Sequence, residues 1–153
     1  MPYVVGAQEQ SKIIKAQATI ITDALKVGHI EDAQAAAEAI LNVIEGDKGK
    51  DRDLDSKINQ PGDGYGLQKY IFSINEAADT VQSSASGAAK SAAADMGAMG
   101  QDALKQLQTI KQQVQALIDA KTLVDARKVD LSAVSKLDDD ITKIVGDVSA
   151  LKG

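Results

Sequence analysis

Apolar residues recur at steps of three and four through most of the chain, which is the spacing of one face of an α-helix. Gly28, Gly46 and Asp130 separate several of these stretches. Glycine commonly ends a helix in a left-handed turn, and aspartate commonly begins one. The predicted helices span about residues 8–27, 31–45, 67–83, 101–126 and 131–151.

Two segments outside these helices have a weaker pattern. Residues 1–7 form a short, mostly apolar lead, which we expect to be irregular or frayed. Residues 83–100 are dominated by Ala, Ser and Gly. This segment is either a flexible linker or a helix from Ser86 to Met96 or beyond, packed on a neighbour through its small residues.

The order of these elements predicts an all-α fold. We expect a single domain over residues 1–153, built as an up-and-down bundle of four to five helices with one long Asp/Gly-rich loop. That loop, residues 46–66, is long for a connection in a compact bundle. Long ordered loops usually have a function or are held in place by other groups.

The loop contains an alternating run of acids at Asp51, Asp53 and Asp55. Calcium takes several oxygen ligands at about 2.3–2.6 Å, and calcium loops supply them from alternate residues. In that frame a carbonyl at Lys57 is the seventh position and Asn59 is the ninth. The predicted calcium ligands are Asp51, Asp53, Asp55, Lys57, Asn59 and Asp63.

This run resembles the first two-thirds of an EF-hand or dockerin-like calcium loop. It differs at position 6, where Ser56 stands in place of glycine, so we expect a more strained turn. It also differs at position 12, where Gly62 replaces the bidentate glutamate and Asp63 lies one residue beyond. The basic neighbours, which should weaken affinity, are Lys48, Lys50, Arg52 and Lys57.

A wider run, LNVIEG followed by the Asp loop and QPGDGYGL, resembles a loop of uncharacterised helical bacterial proteins that are often extracytoplasmic. The resemblance implies an ordered metal-binding loop in a periplasmic or secreted protein, and it implies no activity. The chain begins without a visible signal peptide, so this location requires that one was removed, and a cytoplasmic location stays open. The other interpretation of the loop is a solvated segment that uses Asp and Gly for its turns.

Composition and charge narrow the function classes. The net charge of −5 argues against a nucleic-acid-binding surface, which would need an excess of basic residues. The chain has no cysteine, which excludes disulfides and thiolate catalysis. No apolar run approaches the roughly 20 residues of a transmembrane helix.

The other residues whose side chains could bind or catalyse have structural explanations. His29, the only histidine, lies at a predicted turn and is expected at the surface. Met96 and Met99 are expected in the core rather than on a haem, and Tyr65 is expected to pack the loop onto the following helix. Residues 138–140, three consecutive aspartates, are interpreted as the polar side of a helix.

These observations favour a non-enzymatic helical bundle with a structural calcium loop, acting as a binding or interaction module. No nucleophile–base pair is recognisable, so an enzyme is the least supported class. The alternative is a metal-free module that binds an unknown protein partner or self-associates through residues 83–100. A haem or small-ligand carrier is the third interpretation.

Overall fold

The computed structural model describes residues 1–152 of the chain and the side chains of residues 1–151. Within that range the secondary structure is entirely helical, which confirms the predicted all-α class. Five helices are long and one is a single turn. The helices are α1 (Pro2–Lys26), α2 (Ile30–Glu45), α3 (Leu67–Ser84), α4 (Gly87–Asp119), α5 (Leu123–Ala126) and α6 (Ser132–Lys152).

The most deeply buried helix is α2. Every residue from 36 to 44 is buried, because α1 and α4 pack against this helix and the loop 46–66 covers part of it. The surrounding core is aliphatic, as the scarcity of aromatic residues requires. Its largest fully buried side chains include Ile14, Ile21, Ile40, Ile44, Ile71, Ile74, Leu107, Ile110 and Leu117.

The Ala-rich segment forms the first half of α4, so the linker interpretation of residues 83–100 is wrong from Gly87 onward. At 33 residues α4 is about 50 Å long, and it packs on α2, α3 and α6. Ala92, Ala93 and Met96 are buried inside the bundle. The small residues therefore serve contacts between helices of the same chain.

The first residues are also helical, contrary to the expectation of an irregular lead. Pro2 stands in the first turn of α1, where its fixed φ and missing N–H suit a helix start. Val4 and Ala7 are buried. Gly6 allows the ring of Tyr70 to approach, since a Cβ at Gly6 would lie 2.3 Å from Tyr70 Cε1. Tertiary packing thus continues the helix to the start of the described chain.

The helix predicted over residues 101–126 ends instead at Asp119. The Gln34 amide caps it by donating to three carbonyls, each at 3.1 Å: Leu117, Ile118 and Ala120. Thr122 then caps the short α5, because its hydroxyl accepts the N–H of Asp125 at 3.1 Å. The helical periodicity of residues 101–126 predicts Val124 on the buried face, but the structure leaves it 68% exposed.

The remaining helix boundaries follow the predicted signals. Gly28 has φ of +81° after α1, and α2 begins with the acidic residues Glu31 and Asp32 in its first turn. The Asp130 carboxylate accepts the N–H of Ser132 at the start of α6. Among the described helices, none combines the length and the apolar character needed to cross a membrane.

Candidate metal centre

The loop 46–66 has no helix or strand, so its backbone groups need partners other than a regular ladder. Two side chains of α2, Glu38 and Asn42, provide many of them. Both residues have no exposed surface. They lie one helical turn apart, on the same face as Glu45, and this polar face meets the loop.

The Glu38 carboxylate is an acceptor for three backbone N–H groups of the loop. Its Oε1 accepts from Arg52 and, at 3.3 Å, from Asp53. Its Oε2 accepts from Asn59 at 2.9 Å. A buried carboxylate without such donors would be strongly destabilising, so these bonds hold the loop against α2.

The Asn42 amide makes four further hydrogen bonds. Its Nδ2 donates to the carbonyl oxygens of Lys50 at 3.1 Å and Asn59 at 2.8 Å. Its Oδ1 accepts from the N–H of Lys50 at 3.0 Å and from Nε of Arg52 at 2.8 Å. One buried amide therefore joins the two ends of the acidic segment.

Around this attachment, three carboxylates converge. One oxygen each from Glu38, Asp51 and Asp53 lies within 4.8 Å of the others. Two ligands on opposite sides of a calcium ion are about 4.6–5.2 Å apart, given bond lengths of about 2.3–2.6 Å. The three oxygens are therefore close enough together to contact one cation.

The electrostatics of the cluster favour a positive charge there. Burial raises the pKa of Asp53, the N–H of Asp55 opposes this, and the nearby charges of Glu38 and Asp55 add to it, so that the pKa is about 6. The Arg52 guanidinium forms its ion pair outside the cluster, with Nη2 2.7 Å from Oε2 of Glu45. A cation bound among the three acids would relieve their repulsion.

The acidic turn itself is bent by side chain to backbone hydrogen bonds. Asp51 accepts the N–H groups of Asp55 at 3.2 Å and Ser56 at 2.9 Å, and Asp55 accepts that of Lys57 at 2.8 Å. Ser56 has φ of +72°, in the region that favours glycine. The strained turn expected at Ser56 is therefore present.

The six predicted ligands do not all gather at one point. Asp51 and Asp53 join the cluster, and Asp55 and Lys57 belong to the same exposed turn. The N–H and carbonyl of Asn59 bond to the two buried α2 side chains, and its Nδ2 donates to Ala35 O at 3.2 Å.

Asp63 has a different role in the structure. Its Oδ2 accepts the hydroxyl of Tyr70 at 2.5 Å, and its Oδ1 accepts the N–H of Tyr65 at 3.0 Å. This hydrogen bond, with burial, raises the pKa of Tyr70 to about 12. The ring of Tyr65 lies 4.4 Å from that of Tyr70, so Tyr65 packs the loop onto α3 as expected.

Glu38 is the residue that sequence reasoning missed. A signal was present, because Glu38, Asn42 and Glu45 form a polar stripe at steps of four and three in an otherwise Ala/Ile/Leu-rich helix. Such a stripe on a helix buried elsewhere indicates a polar partner.

The other candidates have structural roles. His29 is exposed, with its Nδ1 3.6 Å from the Asp32 carboxylate, and Met96 is fully buried in the core. The interpretation of residues 138–140 as the polar side of a helix is wrong for Asp140, which is buried in the bundle and only 5% exposed.

Comparison with family models, with curated proteins and with solved structures found no match for this chain. The resemblance to EF-hand and dockerin-like loops therefore stays a prediction.

Proposed function

We propose that this chain is a non-enzymatic helical-bundle protein whose loop 46–66 binds a calcium ion and is held by it on α2. The observation that supports this most directly is the convergence of buried Glu38 with Asp51 and Asp53. Carboxylates without nitrogen or sulfur ligands suit a hard cation.

The proposed ligand set is the one predicted from the sequence, except that Glu38 replaces Asp63. Glu38 takes the part of the glutamate that the loop lacks at position 12, and Asp63 is engaged with Tyr70. Asp51 and Asp53 supply two further carboxylates. Asp55, the carbonyl of Lys57 and Asn59 are close enough in the chain to complete an oxygen shell.

In this proposal the ion has a structural role. It neutralises the acids that face α2, and its binding free energy adds to that of folding, by about 2.7 kcal/mol at 100 times the dissociation constant. The basic residues of the loop point to modest affinity. Extracellular calcium modules work with dissociation constants of about 10⁻⁴–10⁻³ M, which suits the proposed extracytoplasmic location and a role as a binding or interaction module.

Calcium titration calorimetry and thermal melts, with calcium or with EDTA, test the proposal. The wild-type protein should bind one calcium and melt higher with it. Glu38→Gln and Asp53→Asn should weaken binding at least tenfold. Asp63→Asn is the matched control, since this loop aspartate contacts Tyr70, and it should bind calcium as the wild type does.

The metal-free module is the outcome that would contradict the proposal. Glu38 already accepts three backbone N–H groups, so the loop has a protein anchor without an ion. If the wild-type protein released no binding heat and melted identically in calcium and EDTA, that anchor alone would hold the loop.

A further inference from the structure

A second buried acid lies far along the chain from the loop. Asp140 of α6 is 5% exposed, and its Oδ2 is buried without a hydrogen-bond partner among the described residues. A buried carboxylate normally has a donor or a cation beside it, because the charged form loses its hydration. The surroundings of Asp140 must therefore supply a donor, or the group must be neutral.

The carboxyl group of Asp102 on α4 lies beside that of Asp140, close enough to hydrogen-bond with it once one of the two carries a proton. Asp102 also faces the Gln106 amide, whose Nε2 is 3.4 Å from Asp102 Oδ2. On the α1 side of α6, Lys15 pairs with Asp138 at 3.3 Å. The other charged groups near the pair are Lys105, Lys136, Asp139 and Lys143.

A second, more exposed pair of acids lies along the same interface. Asp147 of α6 is near Asp95 of α4, and each lies seven residues, or two helical turns, from the first pair. The register shows that α4 and α6 run antiparallel, and this is the most extensive helix–helix contact in the bundle. Acids thus face acids at two levels of one interface.

We propose that Asp102 and Asp140 share one proton, which Asp140 donates to the Asp102 carboxylate, and that loss of this proton loosens the packing of α4 on α6. A proton makes Asp140 neutral and turns it into the missing donor. Two carboxylates alone are too few ligands for calcium, which takes six to eight oxygens.

The titration behaviour agrees with this geometry. Burial, together with the hydrogen bond and the charge of Asp102, raises the pKa of Asp140 to about 7. The hydrogen bond from Asp140 lowers the pKa of Asp102. Between about pH 4 and pH 7 the folded state then holds a proton that the unfolded chain releases. Stability from this pair is present at acid pH and is lost as the pH rises through 7.

Urea unfolding from pH 5 to pH 8 in EDTA, which removes any loop-bound ion, tests this inference. One extra proton in the folded state makes the unfolding constant rise up to tenfold per pH unit. Asp140→Asn supplies a permanent donor and should remove this component, so that the variant is more stable than the wild type at pH 8. Asp139→Asn, an exposed neighbour, is the control and should keep this pH-dependent component, with a slightly lower midpoint because the charge of Asp139 raises the pKa of Asp140.

Comparison with Asp140→Asn cancels the contribution of Asp53, which also titrates in this range. Carbon-13 NMR titration of the wild-type Asp140 carboxyl gives an independent result should the variant fold poorly. A midpoint near pH 7 supports the inference, and a midpoint near pH 4 overturns it. It is also overturned if added calcium or magnesium, rather than acid, removes the difference between the wild type and Asp140→Asn.

Discussion

Two buried asparagines offer a direct test of how the loop is attached. Asn42 and Asn75 are both almost fully buried on helices. The Asn42 amide makes four hydrogen bonds to the loop, whereas neither polar atom of the Asn75 amide has a partner among the described residues. Replacing each with Ala removes the same group from two opposite environments.

The expected magnitudes differ accordingly. A buried hydrogen bond contributes about 0.5–1.5 kcal/mol net, so four bonds give about 2–6 kcal/mol. Lys50 is an exposed residue, so water can replace part of the lost bonding after truncation, and we expect Asn42→Ala to destabilise the protein by about 3 kcal/mol. Asn75→Ala removes an unpartnered amide whose burial is itself unfavourable, so it should lower the free energy of unfolding by about 1 kcal/mol or less.

Urea unfolding in EDTA, followed by circular dichroism, measures both free energies. Limited trypsin digestion adds a local measurement, because detachment of the loop exposes several cleavage sites: Lys48, Lys50, Arg52 and Lys57. Asn42→Ala should be cut faster in this segment, and Asn75→Ala should not. Equal destabilisation of the two variants, with unchanged loop cleavage in Asn42→Ala, would refute the argument that this amide anchors the loop.

Two further predictions concern helix contact and ionisation. Gly100→Ala should destabilise the protein by about 1–3 kcal/mol, since a Cβ there would lie 1.7 Å from Asn75 Oδ1. Gly146→Ala, with open space around it, should stabilise the protein by about 0.5–1 kcal/mol. Urea unfolding midpoints of the two variants that move in the same direction would contradict this. Asp63→Asn should bring the raised pKa of Tyr70 back toward 10, and tyrosinate absorbance should follow. The raised pKa of Tyr70 means that wild-type stability falls as the pH rises above about 10. If the tyrosine titration of Asp63→Asn is unchanged, a group other than Asp63 holds the phenol proton.

The sequence-based prediction of helices succeeded where periodicity and turn residues agreed. Gly28, Gly46 and Asp130 mark boundaries that the structure contains. It failed at the end of α4, because the Gln34 amide that caps this helix comes from 83 or more residues earlier in the chain. Local periodicity also placed Val124 on a buried face after the helix had already ended.

For the candidate site, the sequence by itself determined the acidic run at Asp51 and Asp53, the strained turn at Ser56 and the loop that contains them. These are local properties, since alternation and turn geometry depend on neighbours in the chain. Only the tertiary structure decided that Glu38 joins the cluster and that Asp63 does not. Because α2 is buried, water does not reach the polar side chains of its stripe, and these side chains need hydrogen-bond partners in the loop. Long-range packing determines which loop residues become those partners.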